Sequence, residues 1–434
     1  MSLIRQLPDI LDQAEAEYFN LSPGIPRTDR KTVFVNDGAG KAAGSFLLGD
    51  NLRILKEGVA SGLLKEKFDM IYCDPPFYTR EDKGVRIPVK SEAAPGTGAV
   101  SLRAYHDKWD GGMKGYLSSL ALRLMLMRDT LKETGSIFIH LDWHASHAVK
   151  LLMDEIFGDK NFINEIIWNY KSGGAAKRHL ARKHDTILFY SKSSQYKFHL
   201  KKEKSYNRGL KPYKFKGVSE YRDEIGWYTL VNQKDVWQID MVGRSSSERL
   251  NYATQKPEAL LTRLMEIVTD EGDLCADFYC GSGTLAAVAA RKGRSFFCVD
   301  MSPLALANAV KRPIRDGYGF RVENCTGSGW ADGRAEAHRE GTTIVLDRFS
   351  ASPADMISNK DHRLVAGIMD RDPFALVDYW CAGRTEADGS FHVMKTIFRD
   401  GKSEIGKLME EVPDSCDSVW VTDLFGQTAR AVLR

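Results

Sequence analysis

The sequence predicts an α/β protein in which buried strands present ligand-binding residues at their carboxyl ends. Two apolar runs end abruptly in turns rich in acidic residues, proline or glycine, at residues 68–77 and 274–284. Helical patterns of leucine and alanine alternate with such runs, for example at residues 260–268 and 285–289. With 434 residues, of which 43% are hydrophobic and 27% charged, the chain has the composition of a globular protein with a large core.

Composition also excludes several classes of protein. The longest apolar runs fall short of the ~20 residues that a membrane span needs, and the first residues lack a secretory pattern. The seven cysteines include no Cys-x-x-Cys pair, which favours reduced thiols over disulfides or a zinc site. We therefore expect a cytoplasmic protein with no membrane partner.

The first functional candidate along the chain is Asp50. Residues 1–43 form an N-terminal extension in which we identify no chemistry. Residues 45–49 then predict a strand, and a helical pattern follows Asp50. At the carboxyl end of that strand, Asp50 could accept a hydrogen bond from the adenine amine of a cofactor, or it could simply be the N-cap of the helix.

Residues 68–73 predict a buried strand that the next four residues terminate. Pro75 and Pro76 cannot continue a β-ladder, so Asp74, the free carbonyls of the turn and the ring of Phe77 are presented together at its end. The carboxylate and a carbonyl could accept two hydrogen bonds from a planar amine, and the ring could stack on that amine's base. An ordinary strand-ending turn is the alternative interpretation.

The middle of the chain predicts further elements of the same sheet. Residues 78–112 read as a long loop, either a lid or an insertion, before a helix at 115–131 and a strand at 135–140. His140, His144 and His147 lack the carboxylate or cysteine that would complete a metal site, so we predict no metal. Residues 44–170 form the first half of the predicted domain, and strands at 164–170 and 186–190 form its far edge.

Residues 171–250 contain a strongly basic region. Residues 171–217 carry a charge of +12, which leaves −9 for the rest of a chain whose total is +3. Aromatic residues are interleaved with the basic ones, which favours a phosphate-contacting surface over a merely solvated face. RNA remains an alternative ligand. The candidate DNA-contacting residues are Lys177, Arg178, Arg182, Lys183, Lys201, Lys202, Lys204, Arg208 and Lys211.

Residues 251–314 predict a cofactor site. Gln255-Lys256-Pro257 precedes an apolar helix, with Pro257 at its first position. A strand then leads into the turn Gly281-Ser282-Gly283-Thr284 and another helix, where backbone can approach a ligand closely. The next strand ends at Asp300, which suits two ribose hydroxyls. Taken alone, the turn and Asp300 also fit a nicotinamide cofactor.

Together, these motifs resemble those of a known enzyme family. Asp74-Pro75-Pro76-Phe77 comes first, the basic segment follows, and Asp277-Phe278-x-x-Gly281-Ser282-Gly283-Thr284 comes last. Residues 45–312 thereby resemble the permuted beta group of DNA amino-methyltransferases, and within it the modification subunits of type III restriction systems. The resemblance implies a circularly permuted, Rossmann-like class I methyltransferase fold with a mixed sheet, helices on both faces and a basic target-recognition insertion.

The resemblance also implies the ligands and the role of each residue. The cofactor is S-adenosylmethionine, the substrate is double-stranded DNA, and a restriction subunit is a candidate partner, as is a second copy of the chain in a homodimer. Asp74 to Phe77 would form the catalytic pocket and Asp50 would lie near the cofactor's adenine, with Asp300 on its ribose. Asp277, Phe278, Gly281 and Gly283 would surround the methionine part, and Lys256 would lie near its carboxylate. Pro257, Ser282 and Thr284 would also bind the cofactor.

The permuted order makes physical sense if the two halves share one sheet. The strand ending near Gly49 would pair beside the one ending at Asp300, and the strand ending at Asp74 beside the one ending at Asp277. A base in duplex DNA would have to be flipped into the resulting cleft before a direct methyl transfer. Aspartate at the first catalytic position resembles adenine N6 enzymes, although the N4 amine of cytosine would fit chemically.

Residues 315–434 lie outside the resemblance and predict a small β-rich domain of unassigned role. Three other functions remain open at this point. A nicotinamide oxidoreductase would need neither the basic segment nor Asp74-Pro75-Pro76-Phe77. An RNA methyltransferase would keep the cofactor site, and a catalytically inactive DNA-binding subunit would bind DNA without transferring a methyl group. For the favoured reading, we expect a prokaryotic protein associated with the nucleoid.

Overall fold

The computed structural model describes residues 2–21, 30–38, 44–89, 99–171, 177–243, 245–250, 252, 254–327, 330, 333–351, 357–399 and 405–434. Within them the strands are β1 (Lys31–Asn36), β2 (Gly44–Leu48), β3 (Phe68–Cys73), β4 (Lys83–Pro88), β5 (Ala99–Tyr105), β6 (Leu131–Leu141), β7 (Phe162–Asn169), β8 (His184–Ser191), β9 (Lys202–Tyr206), β10 (Glu220–Arg222), β11 (Trp227–Asn232), β12 (Val236–Gln238), β13 (Leu274–Asp277), β14 (Ser295–Asp300), β15 (Phe320–Asn324), β16 (Gly333–Glu340), β17 (Thr343–Ser350), β18 (Val377–Thr385), β19 (Phe391–Phe398), β20 (Leu408–Met409), β21 (Ser418–Asp423) and β22 (Thr428–Val432). The helices are α1 (Leu7–Phe19), α2 (Asn51–Ala60), α3 (Gly112–Thr130), α4 (Ser146–Phe157), α5 (Glu258–Val268), α6 (Thr284–Arg291), α7 (Pro303–Ala309), α8 (Lys311–Asp316) and α9 (Asn359–Arg371).

Parallel strands form the centre of the large sheet, in the order β6-β3-β13-β14-β2-β15. The pairing of β3 with β13 and of β2 with β14 confirms the arrangement predicted from the permuted motifs. Because all these strands run in one direction, their carboxyl ends lie at one edge of the sheet. Residues that are far apart in the sequence can therefore meet there.

The predicted edge of this sheet is wrong in one respect. β8 pairs antiparallel with both β6 and β7, so the strand predicted at residues 186–190 is internal and not an edge strand. β12 pairs in parallel with β7 and extends the sheet beyond it. A strand as short as Val236–Gln238 carries too few residues for a periodic pattern, and this is why the sequence did not reveal it.

Helices cover both faces of the central strands, as predicted. On one face α2, α3 and α4 bury residues such as Leu55, Leu120 and Leu152 against the sheet. On the other face α5 and α6 bury Leu260 and Leu285. The α/β class expected from the sequence is thereby confirmed. In the described part of the chain, no helix combines the length and the apolar character needed to cross a bilayer.

The region predicted as a loop at residues 78–112 is largely a β-hairpin. β4 and β5 pair antiparallel, and residues 90–98 between them lie outside the described residues. Val85 and Ile87 alternate with exposed neighbours and join a small core with α9. The Ser101 N–H donates to Asp361 of α9 at 2.9 Å. The hairpin therefore rests on the C-terminal region and does not project into solvent as a free loop.

The C-terminal region is rich in β-structure, as predicted, but it continues the main sheet. β1 pairs with β15 on one side and with β19 on the other, which links the central strands to β18, β21, β22, β16, β17 and β20. A separate core that includes Trp380 and Val419 lies under these strands. The predicted N-terminal extension contributes α1 and this connecting strand to the fold.

Candidate active site

A cleft of about 490 Å³ opens at the carboxyl ends of β2, β3, β13 and β14. Most of the predicted catalytic and cofactor residues line it: Asp50, Asp74, Pro75, Pro76, Phe77, Lys256, Asp277, Phe278, Gly281, Ser282, Thr284 and Asp300. Pro257 and Gly283 do not belong to its lining. Pro257 is the N-cap of α5, one residue before the position predicted for it. The two distant halves of the sequence thus share one cleft.

Asp74 lines this cleft and has one unpaired carboxylate oxygen. β3 ends at Cys73, and the prolines that follow Asp74 supply no N–H group to continue the ladder. Asp74 Oδ2 accepts a hydrogen bond of 2.5 Å from Lys256 Nζ. Asp74 Oδ1 is buried and has no hydrogen-bond partner among the described residues. Because buried acceptors are rarely left unpaired, this oxygen is well suited to a donor on a ligand.

The ring of Phe77 forms a second surface of the same pocket. It is half-buried, and its centre lies 5.7 Å from the centre of the His140 ring with 23° between the planes. The ammonium group of Lys256 lies 5.2 Å from the ring centre. A planar heterocycle could therefore stack on Phe77 while its amine reaches Asp74.

Lys256 has a different partner from the one the family resemblance implies. The sequence assigned it to a cofactor carboxylate, whereas in the structure its ammonium binds Asp74. Only 8% of the residue is exposed, and its backbone carbonyl accepts a hydrogen bond of 3.1 Å from Thr284 Oγ1. Lys256 therefore connects the end of β3, where Asp74 lies, with the turn at residues 281–284, which we call the cofactor turn.

Two further carboxylates line the cleft, of which Asp277 is buried and Asp300 is half-buried. Burial raises the pKa of Asp277 well above its usual range, and the charges of Asp74 and Asp300 raise it further. Burial also raises the pKa of Asp300, although the N–H groups of Ser302 and Gly281 donate to it at 2.9 and 2.8 Å. A cluster of acids with one buried lysine nearby favours a ligand that carries positive charge.

This set of acceptors fits S-adenosylmethionine, which carries a sulfonium, an ammonium group, a ribose diol and an adenine amine. Asp277 and Asp300 could accept from the ammonium group and the ribose hydroxyls. Asp50 also lines the cleft, and its side chain accepts from the Leu52 N–H at 2.9 Å. The N-cap interpretation of Asp50 is therefore confirmed, and a carboxylate with several lone pairs can cap the helix and still meet a ligand.

The glycines of the cofactor turn are required for different reasons. Gly281 has φ 51°, and a Cβ there would lie 3.4 Å from the Tyr252 ring. Gly283 has φ 72°, and a Cβ there would lie 2.6 Å from the Cβ of Ala309 in α7. Gly283 thus allows close packing of the turn against α7, while Gly281 faces the cleft.

Arg312 fixes the turn from below. Its guanidinium donates to the Ser282 carbonyl at 2.7 Å and to Glu258 Oε1 at 2.9 Å, and only 4% of the residue is exposed. The bond to Ser282 orients the peptide between the two glycines. Arg312 was missed in the sequence because nothing in its local pattern marks it as buried.

Asn51 and Arg123 are also absent from the sequence prediction. Asn51 Nδ2 donates to the Phe278 carbonyl at 2.8 Å, and its Oδ1 accepts from Arg123 Nε at 2.7 Å. Arg123 further approaches Asp50 at 3.4 Å. All four residues that meet here line the cleft, and their contacts connect the start of α2 with Phe278, which follows β13. Asn51 follows the predicted Asp50 directly, which is a signal that could have been used.

The predicted DNA-contacting residues are distributed over two surfaces. Residues Lys177–Lys183 follow β7, and Arg182 stacks on exposed Trp143 with 3.6 Å between the guanidinium carbon and the ring centre. The others lie on or near the small sheet of β9, β10 and β11. Lys204 is held by Asp223 at 2.6 Å and Lys202 by Asn232 at 2.5 Å. The remaining members of this second surface are Lys201, Arg208 and Lys211, all exposed.

The three histidines considered as metal ligands have different surroundings. His140 is buried between Tyr72 and Asp185, and His144 bonds to Asp142 at 2.7 Å. His147 is exposed on α4. Across the described ranges, no group of three or more His, Cys, Asp or Glu side chains is arranged to hold a metal ion.

Comparison with known proteins gives one family and several relatives. A sequence model of the family described as DNA methylase (N6_N4_Mtase) matches residues 68–311. The Mod subunit of the type III restriction-modification enzyme EcoP15I from Escherichia coli is 28% identical over 185 residues, 41% of this chain and 28% of that protein. The StyLTI Mod subunit from Salmonella typhimurium is 30% identical over 182 residues, 39% of this chain and 27% of that protein. The matched part thus spans little more than a quarter of these two relatives.

Shorter relatives are matched over more of their length. The type II methyltransferase M2.LlaDCHI from Lactococcus lactis subsp. cremoris is 28% identical over 257 residues, 57% of this chain and 82% of that protein. Among solved structures, the PvuII DNA methyltransferase (cytosine-N4-specific) superposes with a TM-score of 0.44 at 15% identity, over 66% of this chain and 90% of that one.

Proposed function

This chain belongs to the DNA methylase family N6_N4_Mtase, and from that premise we propose that it transfers a methyl group from S-adenosylmethionine to the N6 amine of adenine in double-stranded DNA. One observation carries the proposal more than any other. Asp74 Oδ1 is a buried acceptor without a partner among the described residues, in a pocket that also contains the Phe77 ring. An amine on a planar base is the ligand that suits both.

The catalytic turn would bind the amine through both of its N–H groups. Asp74 Oδ1 would accept one hydrogen bond and the Pro75 carbonyl the other, while Phe77 stacks on the base. An amine held by two in-plane acceptors has its lone pair turned out of the ring plane, where it can attack an electrophile. The site would therefore act mainly by orientation.

S-adenosylmethionine supplies, when bound, an electrophilic methyl carbon, and its sulfur keeps the electron pair of the broken carbon–sulfur bond and leaves as a neutral thioether. The residues of the second half of the cleft would hold this donor through its polar groups. Asp277 and Asp300 would accept from the ammonium group and the ribose, Asp50 would lie near the adenine, and the turn at Gly281 would let backbone approach closely. The positive charge of the donor would offset the mutual repulsion of Asp277, Asp74 and Asp300.

Asp74 would also stabilise charge during the reaction. The base nitrogen becomes positively charged as its new bond to carbon forms, and it then releases a proton. A fixed carboxylate in a water-poor pocket stabilises such a charge without reorganising. Asp74 Oδ1 is the atom that would hold the released proton before solvent removes it. Lys256 contributes by holding Oδ2, so that Oδ1 faces the base.

The DNA would reach this pocket with its target base flipped out, at a cost of a few kcal/mol. Exposed Trp143 lies just beyond the carboxyl end of β6, the strand beside β3, with Arg182 stacked on it. Aromatic and basic groups at this edge suit a nucleic acid. The exposed residues Lys177, Arg178, Lys201, Arg208 and Lys211 would contact phosphates.

The experiment is methyl transfer from a radiolabelled donor to unmethylated genomic DNA, followed by mass spectrometry of the nucleosides. The wild-type protein should form N6-methyladenine, and Asp74→Ala should form none while still binding the donor by calorimetry. Asp12→Ala, an exposed position on α1, is the matched control and should retain activity. Unchanged turnover in Asp74→Ala would remove Asp74 from the mechanism.

The same assay separates the alternative functions. N4-methylcytosine as the product would mean that the substrate is the N4 amine of cytosine, which this pocket could also bind. Transfer to RNA but not to duplex DNA would identify an RNA methyltransferase. Salt-dependent DNA binding without any product would indicate a catalytically inactive DNA-binding subunit. Each outcome contradicts the adenine proposal in a distinct way.

We further propose a partner subunit and a place in the cell. Two relatives are by name Mod subunits of type III restriction-modification enzymes, which supports a nuclease partner for this chain. Action on chromosomal DNA would place it at the nucleoid of a prokaryotic cell. Co-purification of tagged protein from its own cells would test the partner, and light scattering would test whether the chain forms a homodimer.

A further inference from the structure

A buried network of polar and aromatic side chains lies directly behind Phe77. His140, at the carboxyl end of β6, is fully buried and is bonded on both sides. Its Nδ1 lies 2.7 Å from the Tyr72 hydroxyl and its Nε2 lies 3.1 Å from Asp185 Oδ2. Tyr72 belongs to β3 and Asp185 to β8, so one imidazole links three adjacent strands.

The bonding pattern defines the role of each atom in the network. Burial opposes ionisation of Asp185, but hydrogen bonds from His140 and Tyr170 hold its pKa below the usual value, so it is an acceptor. Burial raises the pKa of Tyr72 well above its usual range, so its hydroxyl keeps its proton. Tyr72 can therefore donate to Nδ1 while the Nε2–H of His140 donates to Asp185. The imidazole has no remaining polar atom and no freedom to rotate.

This fixed imidazole supports the catalytic turn. Its ring lies 5.7 Å from Phe77 at an angle of 23°, in a stacked arrangement, and it meets Trp168 edge-on at 5.4 Å. Phe77 is half-buried and follows two prolines, so little else in its own segment determines the orientation of its ring. The ring that would stack on the target base is thus itself stacked on a side chain that cannot turn.

We propose that His140, oriented by Asp185 and Tyr72, is a positioning residue of the target-base pocket that fixes the ring of Phe77. This inference rests on the proposed function, because it assigns the network to the binding of the target base, one of the two substrates of the proposed reaction. His140 is not itself part of the cleft lining, and it contacts that lining through Phe77 and Tyr72. Loss of the network should therefore weaken productive binding of the base and leave binding of the donor unchanged.

Three variants remove the network in steps. Tyr72→Phe removes one hydroxyl, Asp185→Asn removes the charge that orients the imidazole, and His140→Phe keeps a ring but removes both nitrogens. Tyr190→Phe is the matched control, since it removes another buried tyrosine hydroxyl that bonds to an aspartate, Asp154, at 2.6 Å on the far side of β8. It should lose a similar amount of thermal stability without a change in DNA kinetics.

The measurements are the KM for DNA, the KM and dissociation constant for the donor, and the fluorescence of an aminopurine placed at the target position. Each variant should raise the KM for DNA or lower kcat/KM for DNA by about tenfold or more, the effect of unpairing a buried hydrogen bond. An aminopurine that stacks on Phe77 in the wild-type complex would be quenched there and should become brighter in each variant. The dissociation constant of the donor should stay at the wild-type value.

Three outcomes would overturn the inference, and they can be told apart. Wild-type kinetics in Tyr72→Phe and Asp185→Asn, which conserve shape and should fold even if His140→Phe does not, would refute the positioning role alone. An equal loss of donor binding would show that the network only stabilises the fold. A wild-type protein that transfers no methyl group would remove the proposed function, and the inference with it.

Discussion

Replacing Asp74 by asparagine should abolish most of the transfer activity, whichever way the new amide lies. If its oxygen faces Lys256, the amide nitrogen faces the base and offers a donor where an acceptor is needed. If its nitrogen faces Lys256, two donors meet at the 2.5 Å contact that the carboxylate now satisfies. Loss of one pre-organised group that stabilises developing charge reduces kcat by about two to three orders of magnitude.

The same change should destabilise the protein, since it leaves the ammonium of Lys256 buried without its counter-charge. Breaking a buried ion pair from one side costs about 3–5 kcal/mol. The side chains of Asp74 and Lys256 are 18% and 9% exposed, so a value near the lower end of this range is expected. Urea unfolding measures the loss of stability, and initial rates with radiolabelled donor measure the loss of transfer activity.

A double-mutant cycle makes the prediction specific to the pair. Lys256→Met alone should also destabilise the protein, whereas Asp74→Asn combined with Lys256→Met removes both charges and should be more stable than the sum of the single changes implies. A coupling free energy of about 1–3 kcal/mol is expected for groups in direct contact. Additive effects, or a transfer rate for Asp74→Asn close to that of the wild-type protein, would refute the reasoning.

Three other predictions follow from the described contacts. Gly283→Ala should lower stability by about 1–3 kcal/mol and weaken donor binding, because its φ is 72° and the new Cβ would lie 2.6 Å from Ala309. Urea unfolding and calorimetry with the donor measure the two effects. Gly272→Ala is the control, because Gly272 also has a positive φ but has nothing within 4 Å of its Cβ position. For Asp423, burial raises the pKa from 3.8 to about 7, so the folded state binds the extra proton and stability should fall as pH rises from 3.8 to about 7. Asp423→Asn should flatten that part of the pH–stability curve, and an unchanged slope would contradict the assignment. Neutral substitution of Lys201, Arg208 or Lys211 should reduce the steepness of log DNA affinity against log salt concentration by about 0.9 for each residue. Lys204→Gln should reduce it by less, because Lys204 already pairs with Asp223.

The sequence was informative wherever function depends on the end of a strand. The acids at Asp74, Asp277 and Asp300 follow short apolar runs, and parallel strands bring such positions to one edge regardless of their distance along the chain. Proline and glycine add information there, since both restrict the backbone in known ways. Twelve of the fourteen predicted catalytic and cofactor residues therefore line the cleft, and Pro257 and Gly283 do not.

The sequence was least informative about contacts between polar side chains of distant segments. Lys256 and Asp74 are 182 residues apart, and no local pattern indicates that they form an ion pair. The hairpin of β4 and β5 was missed because its composition of glycine, proline and charged residues resembles a loop. Its fold depends on packing against α9, which lies far along the chain.

The ion pair of Lys256 with Asp74 has a consequence for how the two substrates communicate. Lys256 begins the segment that leads into α5. Its carbonyl accepts a hydrogen bond from Thr284 in the cofactor turn, and its ammonium binds Asp74, which belongs to the pocket proposed for the base. A donor carboxylate that attracts this ammonium would compete with Asp74 for it. Any shift of Lys256 towards the donor would free the second oxygen of Asp74 for the amine. Binding free energies of donor and base should therefore be coupled in the wild-type protein, and uncoupled in Lys256→Met.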